Sequence, residues 1–327
     1  MVQKTGLVRG FDEFYDPSTL ELGQDFRTVR SEVIVHKAIE ILKKYDNQEN
    51  AAPVFLWTFF KDPHWAYLPP QGYREKFLND DLYMTQREPV KINKDFYDSM
   101  HGVGEARLRS NERGFIHDKA YYIAQYDSEI AYMDKSIGTL LSFIGENNDN
   151  WMIILVADHG ESLGENDYYF DHGYLLDEAS INNLLAIKFP NTVQGVLRND
   201  CVAIYDIYPT IADMLNVPIK KCDGNSLLRD KNISGRMIML ENSQYHEKDE
   251  AVKLYGCILD SYKLIYNKTR ERFSFATIHQ GRENVIEEKG AYQKIINKMQ
   301  RAIRSLSHDS KDDKEEQMQK LKSFGYL

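Results

Sequence analysis

The sequence predicts an α/β fold with a largely parallel central sheet flanked by helices, followed by a small antiparallel subdomain and a helix toward the C-terminal end. Three observations carry that reading. Apolar runs at 54–60, "VFLWTFF", and 152–157, "MIILVA", are separated by a long stretch of helical periodicity, and strand-helix-strand alternation builds mostly parallel sheets with helices on their faces. Both runs end in polar residues of the kind that bind ligands. After Pro218 the texture changes to short runs spaced like hairpin strands. The division falls at 217, with 1–217 as the α/β domain and 218–327 as the C-terminal subdomain.

In chain order, "SEVIVHKAIEILKKY" (31–45) is a helix: Val35, Ile39 and Leu42 recur at helical spacing, and lysines gather in the last turn, where they meet the negative end of the helix dipole. "VFLWTFF" is too short for a helix of its own, and its aromatic residues suit a strand. It feeds "KDPHWAYLPPQGY", whose three prolines exclude regular structure. From Asp118 to Ile144 the set Ile123, Ile130, Met133, Ile137, Leu140, Leu141 and Ile144 keeps a helical period, the strongest such signal in the chain. "MIILVA" and "NLLAIKFP" (183–190) read as strands buried on both faces. "GRMIML" (235–240), "VKLYGCIL" (252–259) and "YKLIYN" (262–267) supply the antiparallel strands. Residues 291–306 form a helix with Ile295, Met299 and Ile303 on one face, and "SHDSKDDKEEQ" is a solvated charge run.

A chain of 327 residues exceeds what one hydrophobic core usually organises. The net charge of −9, with no stripe of Lys and Arg, argues against a nucleic-acid binder and suits a cationic metal. Cys201, Cys222 and Cys257 are far apart and odd in number, which points to buried free thiols and away from a disulfide framework or a Cys-based metal site. No run approaches the roughly 20 apolar residues of a membrane span. The first residues lack the apolar core of a signal peptide, so the chain as it stands reads as cytoplasmic.

Ligand-binding residues of α/β sheets gather beyond the carboxyl ends of the strands. That rule selects His64, four residues past one apolar run, and Asp158 with His159, at the end of another. Asp158 and His159 together offer a carboxylate and an imidazole to one ion, which suits Zn²⁺ or Mn²⁺ and admits Ca²⁺ if the other ligands are oxygens; alternatively Asp158 caps the next turn. His172, in a polar loop, reads from its residues alone as a surface histidine, as do His36, His101, His117, His246, His279 and His308. Asp134 and Asp206 lie in helical patterns and read as structural, Asp206 capping the helix that opens at Pro209.

Several motifs in series resemble one family. "DPHWAYLPP" is similar to the Asp-Pro-His-x-Pro-Tyr-x-Pro-Pro loop of the sulfatase family of the alkaline phosphatase superfamily, with Ala66 where Pro is usual. "YDSEIAYMDKSIGTLLSFI" (126–144) resembles its long helix before the metal strand, and "VADHGESLGEN" with "DHGYLLDEASINNLLAIKFP" its Asp-His-Gly-Glu, His-Gly and apolar-strand-Pro series. "IYDIYPTIADMLNV" (204–217), "DGNSLL" (223–228) and "LKSFGYL" (321–327) follow in the family's order. The resemblance implies an alkaline phosphatase-like fold and a metal-dependent hydrolase of sulfuric esters. Asp158 and His159 would be metal ligands, with Ca²⁺ foremost and Mn²⁺ or Zn²⁺ as alternatives, and His64 and His172 would bind the anionic ester oxygens. Phosphate and phosphonate esters are the alternative substrates.

The departures bear on catalysis. The family's paired Asp residues after an opening strand are not matched, since Asp80 and Asp81 follow "REKFLN", and none of the three Cys stands in Cys-x-Pro-x-Arg, the source of the formylglycine nucleophile. No catalytic nucleophile is identified, and the chain resembles the family without its first third. Three readings follow: a sulfatase-family hydrolase in whole or part, a phosphodiesterase or phosphoryl transferase of the superfamily, and a non-catalytic binding protein. Residues 1–327 alone are expected to show little sulfatase turnover and weak metal affinity. Val54–Phe60 and Met152–Ala157 are expected to be parallel neighbours or near-neighbours, with His64 and Asp158 projecting from one edge.

Overall fold

A computed structural model of the chain describes residues 8–16, 29–46, 53–78, 80–84, 88–93, 102–104, 118–147, 150–192, 195–228, 235–242, 252–279 and 281–309. The helices are α1 (Ser31–Asp46), the single turn α2 (Asp81–Met84), α3 (Lys119–Asn147), α4 (Glu178–Ile181), α5 (Ile207–Met214) and α6 (Gln293–Asp309). The strands are β1 (Ile92–Asn93), β2 (Val103–Gly104), β3 (Ile153–Val156), β4 (Ser162–Leu163), β5 (Tyr169–Asp171), β6 (Leu185–Lys188), β7 (Met237–Glu241), β8 (Leu254–Leu259), β9 (Tyr262–Asn267), β10 (Arg272–His279) and β11 (Arg282–Val285). No helix among the described residues is long and apolar enough to cross a membrane.

The N-terminal part of the chain rests on the pair α1 and α3. Val35, Ala38 and Leu42 of α1 form one core with Leu140 and Ile144 of α3, and Val54, Leu56, Phe60 and Ile153 pack against it. The segment 54–60 and strand β3 thus lie over the same helical layer. Along 54–60 exposure alternates as in a strand: Val54, Leu56, Thr58 and Phe60 are half-buried, whereas Phe55, Trp57 and Phe59 are 64%, 57% and 60% exposed. Yet no strand ladder joins this segment to another among the described residues. The expected parallel pairing with 152–157 is therefore not formed there.

The sheet direction also departs from expectation. β3 pairs antiparallel with β6, Ile153 opposite Lys188 and Val156 opposite Leu185. Parallel pairing would require the connection to return along the length of the strands. Instead it holds the hairpin of β4 and β5 and the four-residue α4, about 6 Å long, so β6 starts where β3 ends. The parallel pairing found among the described residues is confined to β1 with β2.

Helix α3 runs as the periodicity indicates, but its inward face differs. Ile130 and Leu141 are exposed, while Gln125, Ser128, Glu129 and Ser136 are buried beside Tyr132 and Leu140. The reason is a polar seam: Gln125 Nε2 donates to the carbonyl of Arg74, and Glu129 receives Arg30.

Strands β7 to β11 form one antiparallel sheet in the order β11-β10-β9-β8-β7. The runs at 235–240, 252–259 and 262–267 fall in β7, β8 and β9. Helix α6 covers the sheet with Ile296, Met299 and Ile303 against Tyr255, Cys257, Leu264 and Phe275. Cys257 is fully buried, its thiol pushed up to about 12 by burial, whereas Cys201 and Cys222 are partly exposed; all three are free. The charge run after Asp309, "LKSFGYL", and His101, His117 and His246 lie outside the described residues.

Candidate functional site

Three segments bring their histidines together. The loop 61–70 turns at once after Phe60: the His64 amide donates to the Lys61 carbonyl at 3.1 Å, and the buried Asp62 receives the Ser31 amide at 3.1 Å. Trp65 stacks on Phe170 and Tyr122, with centroids at 5.5 and 5.8 Å, which fixes the loop against α3 and β5. Arg30 ties the same loop down from below. Its guanidinium donates to the Leu68 carbonyl at 2.6 Å and to both oxygens of Glu129 at 3.1 Å, and lies 3.7 Å from Asp62. Burial pushes Glu129 up to about 7 against the pull of Arg30, and burial raises Asp62 as well.

The second segment leaves β3. The Asp158 carboxylate is exposed, and its Oδ1 accepts the His159 amide at 3.1 Å and lies 3.7 Å from His159 Nε2. Asn183 Nδ2 donates to the Asp158 carbonyl, which fastens the turn to the start of β6. Gly160 then passes α4 so closely that a Cβ would stand 2.0 Å from the Ala179 carbonyl oxygen, and its amide donates to the Ser180 carbonyl. Only glycine fits that approach. Helix α4 is itself held by the capping Asp177 and by Glu283, whose Oε1 accepts the Glu178 amide at 2.9 Å.

The third segment follows β5. Phe170, fully buried, adopts φ 53, a left-handed conformation strained for a bulky residue. It sets the turn into Asp171 and His172, and the Tyr168 hydroxyl donates to the His172 carbonyl at 2.7 Å. The His172 ring stacks on His159 at a centroid distance of 3.7 Å and meets His64 edge-on at 6.0 Å. Each ring spends its Nδ1 on an acceptor: His64 on the Trp65 carbonyl at 2.9 Å, His159 on the Gly160 carbonyl at 2.7 Å, and His172 on Glu161 Oε2 at 2.8 Å. Burial holds His64 below the ordinary histidine range. Burial opposes charge on His172 too, but the Glu161 carboxylate outweighs it and holds His172 above that range.

The structure therefore gathers all four residues singled out in the sequence, His64, Asp158, His159 and His172. Asp134 lies apart from them in character, exposed on α3. Asp206 is fully buried and serves structure: it grips Arg236 through two 2.7 Å hydrogen bonds and accepts the amides of Ala203 and Asn225. Its side chain does not cap α5, because those partners consume it. Sequence reasoning assigned no role to Glu161 or Tyr67. Glu161 stood in the quoted Asp-His-Gly-Glu, but its partners come from distant loops.

The donor set can be tested against a cation. Asp158 and His159 present an oxygen and a nitrogen that a small movement brings onto one ion, so they fit a shared divalent site as two of its ligands. His159, Glu161 and His172 also offer ligand atoms all within 4.8 Å of one another. In that second set both Glu161 oxygens are engaged, Oε1 by the Tyr67 hydroxyl at 2.5 Å and Oε2 by His172.

A family model described as Sulfatase matches residues 2–217. Among curated relatives, the choline-sulfatase of Rhizobium meliloti (strain 1021) is 28% identical over 211 residues, 57% of this chain and 37% of that protein. The multifunctional alkaline phosphatase superfamily protein PehA of Trinickia caryophylli is 24% identical over 215 residues, 61% of this chain and 40% of that protein. The chain thus spans two fifths or less of these two relatives. Among solved structures, BT4656 in complex with its substrate D-glucosamine-2-N,6-O-disulfate superposes with a TM-score of 0.63 at 17% identity, over 87% of this chain and 70% of that one. The phosphonate monoester hydrolase SpPMH from Silicibacter pomeroyi gives 0.64 at 15% identity, over 94% of this chain and 67% of that one. These likenesses establish a shared α/β fold.

Proposed function

The chain belongs to the sulfatase family, and from that premise we propose that its first domain, residues 1–217, carries the metal- and anion-binding part of a hydrolase of sulfuric esters. The observation that supports this most is the convergence of His64, His159 and His172, with Asp158 beside them, from three separate segments. Asp158 and His159 would hold a divalent cation, Ca²⁺ first and Mn²⁺ or Zn²⁺ as its competitors. When bound, such a cation polarises the ester and offsets charge developing in the reaction.

The chain's own residues do the rest of the binding. His172, whose charged form Glu161 favours, donates to an ester oxygen, and His64, edge-on to it at 6.0 Å with its Nδ1 held by the Trp65 carbonyl, would donate from Nε2 once the bound anion draws a proton onto its ring. The stacked Trp65, Phe170 and Tyr122 anchor the loop that carries His64. The curated relatives include a choline-sulfatase, and a fold neighbour is a phosphonate monoester hydrolase. What carries over is the shared chemistry of a tetrahedral anionic ester, with sulfate preferred and phosphonate as the second reading.

Titration calorimetry of the chain with Ca²⁺, Mn²⁺ and Zn²⁺, then with inorganic sulfate or methylphosphonate, tests the reading. Weak cation binding is expected, with a Kd above about 10⁻⁴ M for so few protein ligands, abolished by Asp158→Ala or His159→Ala. Sulfate binding should weaken in His172→Ala. Cation binding that survives both ligand changes overturns the site.

A further inference from the structure

The three imidazoles are not held alike. His64 and His159 rest their Nδ1 atoms on the carbonyl of the next residue, a partner that arrives with the backbone itself. His172 depends on a side chain eleven residues away. That side chain, Glu161, is only 7% exposed and is itself gripped by the buried Tyr67 from the loop that carries His64.

A carbonyl oxygen only accepts, so His64 and His159 carry their proton on Nδ1 whenever they are neutral. The Glu161 carboxylate imposes the same choice on His172, because the ring nitrogen that meets an acceptor sets the tautomer of the other. Nε2 is then the ring nitrogen left for the ligand on all three. Removing the Glu161 carboxylate removes the acceptor that favours Nδ1–H on His172.

We infer that Glu161 is a positioning residue, clamped between Tyr67 and His172, that holds the His172 Nδ1–H and so fixes the ring orientation and, in the neutral ring, the tautomer, leaving Nε2 to carry the proton that meets the anion when the ring is charged, and that it does not ligate the metal. The inference deepens the sulfatase reading by assigning the Glu of Asp-His-Gly-Glu to the substrate side of the site. Its geometry does not depend on which ester is bound. The side-chain amide introduced by Glu161→Gln can still accept from His172 Nδ1–H through its carbonyl oxygen while its nitrogen donates to the Tyr67 oxygen. An alanine there offers neither.

Long-range ¹H–¹⁵N correlation spectra of the ¹⁵N-labelled full chain read the tautomer directly, at a pH where the rings are neutral, with His172 assigned by its loss in His172→Gln. Wild type, Glu161→Gln and Tyr67→Phe should all show His172 as Nδ1–H. Glu161→Ala should move His172 toward Nε2–H and leave His64 and His159 unchanged. If the alanine variant does not fold, Glu161→Leu takes its place, since it fills the same space without an acceptor. Calorimetry supplies the second arm: Glu161→Gln should keep the wild-type cation affinity, whereas Asp158→Ala loses it. An Nε2–H signal for His172 in wild type, no change in either apolar variant, or a Glu161→Gln loss of cation affinity equal to that of Asp158→Ala overturns the inference. Tautomers that behave as stated in a chain that binds neither cation nor sulfate would sink the hydrolase reading alone.

Discussion

Replacing Glu129 by glutamine should flatten the pH dependence of stability. In the native chain Glu129 and Asp62 share one guanidinium, Arg30, in a buried pocket under the His64 loop. Burial pushes Glu129 from an ordinary 4.5 up to about 7, so the folded protein holds a proton that the unfolded chain releases. The sign follows: this group's contribution is fully present below pH 4.5 and is lost as pH rises through about 7. At about 1.4 kcal/mol for each tenfold in proton affinity, that interval corresponds to about 3 kcal/mol. Asp62, raised in the same direction, titrates with it, so the loss belongs to the pair. Urea unfolding at pH 5 and pH 8 measures it. Wild type should lose about 2–3 kcal/mol more than Glu129→Gln between the two, and the variant should unfold with an unchanged m-value. Parallel losses in both proteins would refute the reasoning and place the titration elsewhere.

Three further changes probe other parts of the molecule. Gly160→Ala puts a methyl 2.0 Å from the Ala179 carbonyl; it should cost about 2 kcal/mol or more in urea melts and weaken cation binding, because the turn carrying Asp158 and His159 must move. Asp206→Asn strips Arg236 of its buried partner and should destabilise the protein by about 3 kcal/mol while cation affinity, measured by calorimetry, stays at wild type. The triple change Phe55→Thr, Trp57→Thr and Phe59→Thr removes the exposed aromatic row of an unladdered segment. Sedimentation velocity should show concentration-dependent association in wild type that this variant lacks, since such edges pair and aggregate.

How much could be read in advance depended on whether the information was local. The extents of α1 and α3 follow from periodicity within single segments, and α1 buries Val35 and Leu42 as their spacing requires. The buried face of α3 followed only in part: Leu140 and Ile144 lie in the core, but Arg30, 99 residues away, draws Glu129 inward at the expense of Ile130. The direction of β6 is likewise set by what lies between it and β3, not by its own apolar run. Of the clustered residues, the strand-end rule had singled out His64, Asp158 and His159, although the run before His64 forms no ladder among the described residues. His172 needed the family resemblance, and Glu161 needed the fold, since its two partners lie 11 and 94 residues away.

The same non-locality blurs the division placed at residue 217. Lys263, 1% exposed on β9, reaches Glu178 at 3.3 Å and Glu283 at 2.5 Å, and Glu283 also accepts the Glu178 amide. Glu178 opens α4, whose Ser180 carbonyl holds the Gly160 amide next to His159. A buried ammonium with two carboxylates is held firmly only while all three remain, because losing one partner leaves uncompensated charge out of water. The C-terminal sheet therefore reaches the histidine cluster through a single turn of helix. A change such as Lys263→Met, 85 residues beyond Glu178 in sequence, would release α4 and with it the backbone that Gly160 needs to aim His159.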